Sequence, residues 1–206
     1  MRPEDLQRVR PGFADLTLGS QVVFRLALQA LSLPARIIEL PSVAQLPAQG
    51  QPASALLLLA LLDSDCTVWL SESLTGSDTE TWLRFHTGCR VVREPGVARF
   101  LWLAAGDPWP ALADLDSGSD EYPDQSATCV VEVLGMGNTA GKSYTFRGPG
   151  ISSEQTLCVA GLPVDFVDQW GANGDVFPRG VDVFLCAGVQ LVGLPRSTRI
   201  TAAVEA

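Results

Sequence analysis

Lysine and histidine are almost missing from this chain. Lys142 and His86 are the only residues of their kinds. A mechanism through a lysine Schiff base has one candidate, and a histidine base or ligand has one candidate. Charge is thin as well: 18% of residues are Asp, Glu, Lys or Arg, and the net charge is −9. The basic face that a nucleic-acid footprint needs is therefore not expected. Low charge beside 47% hydrophobic residues points to surface covered by a partner, and to a homodimer. The five cysteines (Cys66, Cys89, Cys129, Cys158, Cys186) are scattered and form no C-x-x-C pair. That predicts buried thiols rather than a zinc or iron–sulfur centre. The longest apolar run, Ala55 to Leu62, falls short of the roughly 20 residues that a membrane span needs. "MRPEDLQRVRPGF" has no apolar signal region. These readings predict a soluble, cytoplasmic protein with no membrane partner.

"VLGMGNTAGKSYTF", from Val133 to Phe146, resembles a phosphate loop without matching one. The pattern G-x-x-x-x-G-K-[S/T] lets successive N–H groups curl around phosphates. Counting back from Gly141 puts its first glycine at Met136, and Gly135 and Gly137 each miss by one. A helix should follow, but Ser143-Tyr144-Thr145-Phe146 has strand character. The reading adopted is a β-hairpin over Thr128–Arg147 with a glycine-rich loop.

Residues 1–17 read as loosely ordered. Val22, Val23, Leu26, Ala27, Ala30 and Leu31 give an amphipathic helix from about Ser20, closed by Pro34. "ARIIEL" reads as a strand. "SALLLLALLDSD" has no β-branched residue and reads as a buried helix. "CTVWLS" is a strand. Ser77-Asp78-Thr79-Glu80 fits a capping box, and Gly88 closes the helix it starts. "CRVV" and "ARFLWLAA" read as strands. Residues 107–124 hold six acids and no base, a solvated acidic loop with a helical turn near Ala111. "QTLCVAGLP" reads as a strand, and Pro163 to Trp170 as a short helix. "GANGDVFPRG" reads as a loop. "VDVFLCAGVQLVGLPRSTRI" gives two strands around Gly188 and then an exposed basic patch. The sum is one α/β domain over residues 1–206, a mixed β-sheet with covering helices.

Candidate binding residues are few. Arg84 and His86 near a helix end read either as an anion-facing pair or as a structural helix end with a capping histidine. Arg179 and Asp182 in "FPRGVD" read as a turn or as a recognition loop. Arg196 and Arg199 in "PRSTR" read as subunit-docking residues or as structural ion pairs. No catalytic, cofactor or metal residue is assigned.

Several phrases occur in one order: Phe24-Arg25 with Ser32 and Pro34, "LLLLALLDSDCTVWLS", "LRFHTG", "FRGPGI" and "VFPRGVDVFLCAGVQLVGLPRSTRI". Together they resemble the H-subunit family of the bacterial carbon–phosphorus lyase system, from about Val22 to Ile200. One departure is local. The family tends to follow the proline with glycine, and this chain has Ala35. The resemblance implies a fold like that of pyridoxal-phosphate transferases, without the cofactor. It implies a homodimer alone and a place among other lyase subunits. That assembly replaces the adenine of ATP with a phosphonate, and a radical iron–sulfur subunit later breaks the carbon–phosphorus bond. No independent activity is implied. Two other functions stay open: a stand-alone transferase on a phosphorylated substrate, and a homodimeric scaffold.

Overall fold

The computed structural model describes residues 9–137 and 141–203. A seven-stranded sheet runs through the centre. Its strands are β2 (Ile38–Glu39), β4 (Thr67–Leu70), β5 (Arg90–Val91), β6 (Phe100–Leu103), β7 (Thr128–Glu132), β11 (Asp182–Ala187) and β12 (Gln190–Leu194). The order is β2-β12-β11-β7-β6-β4-β5. The five strands from β11 to β5 pair in parallel, whereas β12 pairs antiparallel with both neighbours. The α/β class and the mixed sheet are as the sequence predicted.

One face of this sheet carries helices α1 (Leu16–Ser32), α2 (Pro52–Leu61) and α3 (Asp78–Thr87). Val23 and Ala27 of α1, Leu56 to Leu58 of α2, and Trp82 and Leu83 of α3 pack there with Val68, Trp102, Val130 and Phe184 from the strands. The other face carries a second sheet, not foreseen from sequence. It comprises β8 (Gly135–Gly137), β9 (Lys142–Arg147), β10 (Gln155–Ala160) and β13 (Arg199–Ala202), with α4 (Phe166–Asp175) beside it. Leu101, Val131, Val183 and Leu185 meet Phe146, Leu157, Val159 and Trp170 in that second core. Alternation explains the division. Successive strand residues face opposite ways, so Val130 joins one core and Val131 the other. A small pair, β1 (Gly12–Phe13) with β3 (Ala44–Gln45), lies outside both sheets.

The hairpin reading over 128–147 is corrected. Strand β7 belongs to the large sheet, while β8 and β9 belong to the small one and do not pair with each other. β10 lies between them, with Cys158 opposite both Gly137 and Ser143. The tip of the glycine-rich stretch, 138–140, lies outside the described residues. Gly141 explains itself sterically: a Cβ there would stand 2.5 Å from the Ala160 Cα, where the chain passes close against β10. The glycine before Lys142 thus serves close backbone approach.

Other boundaries also move. α1 starts at Leu16 rather than near Ser20, because Asp15 caps it by accepting a 2.9 Å bond from the Leu18 N–H. The segment 9–17 is tied down rather than loose, through β1 and through Arg10; residues 1–8 lie outside the described residues. α4 starts at Phe166 and absorbs Gly171 to Asp175, which had read as loop. Its Trp170 is buried and donates to the Thr198 carbonyl at 2.7 Å, so tertiary packing overrides the weak propensity of those glycines. The box at Ser77 is offset by one residue: Ser77 Oγ accepts from Thr79, and Glu80 accepts from the Gly76 N–H at 2.8 Å. The 107–124 stretch is loop with a 3-10 turn at Leu112–Asp114, near the expected place. Ala35, after the proline that follows α1, sits buried at φ 62, a left-handed geometry that favours glycine.

Candidate functional site

Arg196 is the most heavily bonded side chain among the candidates. Its Nε and Nη2 donate to the two oxygens of Asp182, at 3.1 and 2.6 Å. Nη2 also donates to Ser126 Oγ at 2.6 Å, and Nη1 donates to the carbonyls of Pro123 and Pro178 at 2.7 and 3.3 Å. A guanidinium has five N–H donors, and all five have acceptors. Asp182 also accepts from the Arg196 N–H at 2.7 Å. The Arg196 side chain is only 13% exposed. The exposed basic patch is corrected at this residue: Arg196 is half-buried in a node joining the end of the acidic loop, the turn after α4 and the start of β11. Its geometry is structural pairing, and no donor remains for a ligand.

Arg179 and Arg199 lie around this node without joining it. Arg179 Nε is 3.1 Å from an oxygen of the exposed Asp120 carboxylate, a separation within ion-pair range but without hydrogen-bond alignment. Arg199 stands opposite Arg147 across β13 and β9, and Arg147 is held by Glu154 at 2.7 Å. Arg199 also lines a mostly apolar groove of about 380 Å³ with Trp170, Phe177 and Ile200.

Arg84 and His86 diverge. Residues two apart on a helix do not share a face. The His86 ring faces the Arg10–Gly12 segment, and its Nε2 lies 2.7 Å from the Arg10 carbonyl oxygen. A carbonyl only accepts, so Nε2 carries the proton there. Trp82 Nε1 donates to the same oxygen at 3.1 Å, and the Trp82 and Phe85 rings meet the imidazole edge-on. His86 thus anchors the N-terminal segment, while the Arg84 carbonyl accepts from the Gly88 N–H and the Leu83 carbonyl from the Thr87 hydroxyl.

Arg84 turns instead toward a groove of about 780 Å³ at the β5 edge of the large sheet. Arg90 and Arg93 line the same groove, with Trp69, Leu70, Val91 and Val92 as its apolar wall. Glu80 is the one carboxylate there. It lies 3.6 Å from Arg84 and is already engaged by the Gly76 N–H. Among the described residues, the side chains of Arg90 and Arg93 make no hydrogen bond or ion pair. Sequence reasoning missed Arg90 and Arg93. The available signal was three arginines within ten residues of a chain poor in bases.

Sequence reasoning also missed Glu132 and Gln51. Glu132 is buried at the C-terminal end of β7, and one of its oxygens accepts from the Gln51 N–H at 2.6 Å and from Trp102 Nε1 at 2.8 Å. The Gln51 side chain donates to the Val133 carbonyl and accepts from the Gly188 N–H. This network pins the start of α2 to three strand ends. An acid inside "TCVVEVL" was its visible mark. At the end of β6, burial pushes the Asp107 carboxyl up, but hydrogen bonds from Ser71 and Ser73 together hold it below the ordinary range. Burial drives the thiols of Cys129 and Cys186 up to about 12, well outside nucleophilic use. Cys89 is buried as well, while Cys66 and Cys158 are half-buried.

The sequence that builds this α/β fold falls in a class described by bacterial phosphonate metabolism. Residues 11–201 fit the family model described as bacterial phosphonate metabolism protein (PhnH), and the chain belongs to that family. It is 38% identical to the alpha-D-ribose 1-methylphosphonate 5-triphosphate synthase subunit PhnH of Rhizobium meliloti (strain 1021), across 91% of this chain and 93% of that protein. It is 33% identical to a putative C-P lyase subunit protein, HtxG, of Stutzerimonas stutzeri, across 87% and 85%.

Proposed function

We propose that this chain is a subunit of a carbon–phosphorus lyase assembly in organophosphonate catabolism. It supports transfer of the ribose triphosphate of ATP to an alkylphosphonate and has no independent activity. The observation that carries this is 38% identity, nearly end to end, to a subunit named for synthesis of a ribose methylphosphonate triphosphate. Arg84 lines the β5 groove, His86 meets Arg10, and Arg196 pairs with Asp182, so these candidate residues hold separate places in the fold. The partners are the other lyase subunits and, alone, a second copy of the chain. Exposed Leu18, Val22, Phe24 and Leu28 on α1 support an apolar contact with a partner. We also read the chain as one domain, since both cores share the strands of one sheet. The likeness to a pyridoxal-phosphate transferase without its cofactor rests on the family resemblance. Lys142, the only lysine, stands exposed at the start of β9, a poor place for a cofactor Schiff base. We read the location as cytoplasmic from the family resemblance; no helix among the described residues is long and apolar enough to cross a membrane.

Co-expression with the other lyase subunits tests the reading. The tagged chain should co-purify with them, and the purified chain alone should leave ATP and an alkylphosphonate unchanged. Turnover by the isolated chain would replace the subunit reading with a stand-alone transferase. Failure to co-purify, with a homodimer in sedimentation, would leave the scaffold reading.

A further inference from the structure

We propose that the groove at the β5 edge binds a polyphosphate chain through Arg84, Arg90 and Arg93. The inference stands on the groove itself and holds whether or not the chain joins a larger assembly.

Three observations carry it. Arginines cluster there against the trend of a chain with net charge −9. Their donors are free: Arg90 and Arg93 have no side-chain partner among the described residues, and Arg84 has only the 3.6 Å approach of Glu80. A planar guanidinium presents paired N–H groups that match phosphate oxygens, so three of them suit three linked phosphates better than one small anion. Finally, the groove has the size of an ordinary ligand site, and its wall of Trp69, Leu70, Val91 and Val92 can take the organic part of a phosphate ester.

An acidic peptide adding a strand to β5 is the competing occupant. The edge suits it poorly. Only Arg90 and Val91 enter the ladder with β4, and Pro95 follows shortly after, so few main-chain bonds are on offer.

The test is calorimetric titration of the full chain with inorganic tripolyphosphate, ATP, adenosine and hexaglutamate. Tripolyphosphate and ATP should each bind saturably at one site and compete, and adenosine should not displace them. Equal affinities assign the site to a bare polyphosphate, and tighter ATP assigns it to the organic ester; both keep the phosphate chain as the recognised part. R90E/R93E should weaken both ligands at least tenfold, and R90Q/R93Q should do so without adding negative charge, with circular dichroism unchanged. K142E, outside the groove, should bind as wild type. Absence of saturable binding, undiminished binding by both double variants, or loss in K142E instead would overturn the proposal. So would hexaglutamate binding more tightly than tripolyphosphate, which would make the groove a protein-docking surface.

Discussion

Arg196 and the arginines of the β5 groove are one residue type in opposite conditions. Arg196 is largely enclosed, and its five side-chain donors meet five oxygens, drawn from Pro123, Ser126, Pro178 and Asp182. Arg90 and Arg93 are exposed, and no oxygen among the described residues meets their side chains. The contrast teaches that charge type alone says little about role. A saturated guanidinium has been used up by the fold, whereas an unsaturated one remains available to a ligand. Sequence weighed Arg196 as a docking candidate and passed over Arg90 and Arg93, because satisfaction depends on residues far away in the chain.

Substitutions can break this comparison in a fixed order of size. Asp182→Ala removes three acceptor contacts and leaves a largely enclosed guanidinium without its counter-ion. It should cost about 3 kcal/mol in urea unfolding, as for other broken enclosed pairs. A loss under about 1 kcal/mol would mean that the node contributes little to stability. Arg196→Lys keeps the charge but not the five-donor fork, and should cost about 1.5 kcal/mol in the same measurement. If lysine proved equivalent, geometry would not be what matters there. Ala35→Gly, outside both regions, calibrates the scale with the opposite sign. Relief of the left-handed alanine should raise stability by about 1 kcal/mol, and an unchanged midpoint would argue against strain at that turn. R90E/R93E should change unfolding free energy by no more than about 0.5 kcal/mol, since nothing in the fold depends on those side chains. A larger loss would show that the groove arginines also serve the fold.

The central part of the fold was legible. "SALLLLALLDSD" read as a buried helix because leucine and alanine without β-branching have one good solution, and α2 is that helix. The strands of "VDVFLCAGVQLVGLP" and their turn at Gly188 were equally plain. The second sheet was not legible. β8 and β9 are adjacent in sequence, and local pattern joined β7 to β9 across a turn. Only the placement of β10 between β8 and β9 separates them, and no short-range signal carries that. The six candidate residues were picked as charged groups at a helix end and near turns. Their partners were not, because Asp182 with Arg196, and His86 with Arg10, meet through tertiary packing.

The node around Arg196 has a kinetic side. Its acceptors at Pro123 and Ser126 lie 73 and 70 residues away in sequence, while Asp182 is only 14 away. The nearby pair can meet as soon as the β11–β12 hairpin forms. The remote ones require the large sheet to be paired first, since closing long loops costs entropy before it returns any contact. The node therefore completes late on the way in and must be undone early on the way out. It acts as a brake on unfolding: loosening it should shorten the lifetime of the folded state while leaving the refolding rate nearly as it was.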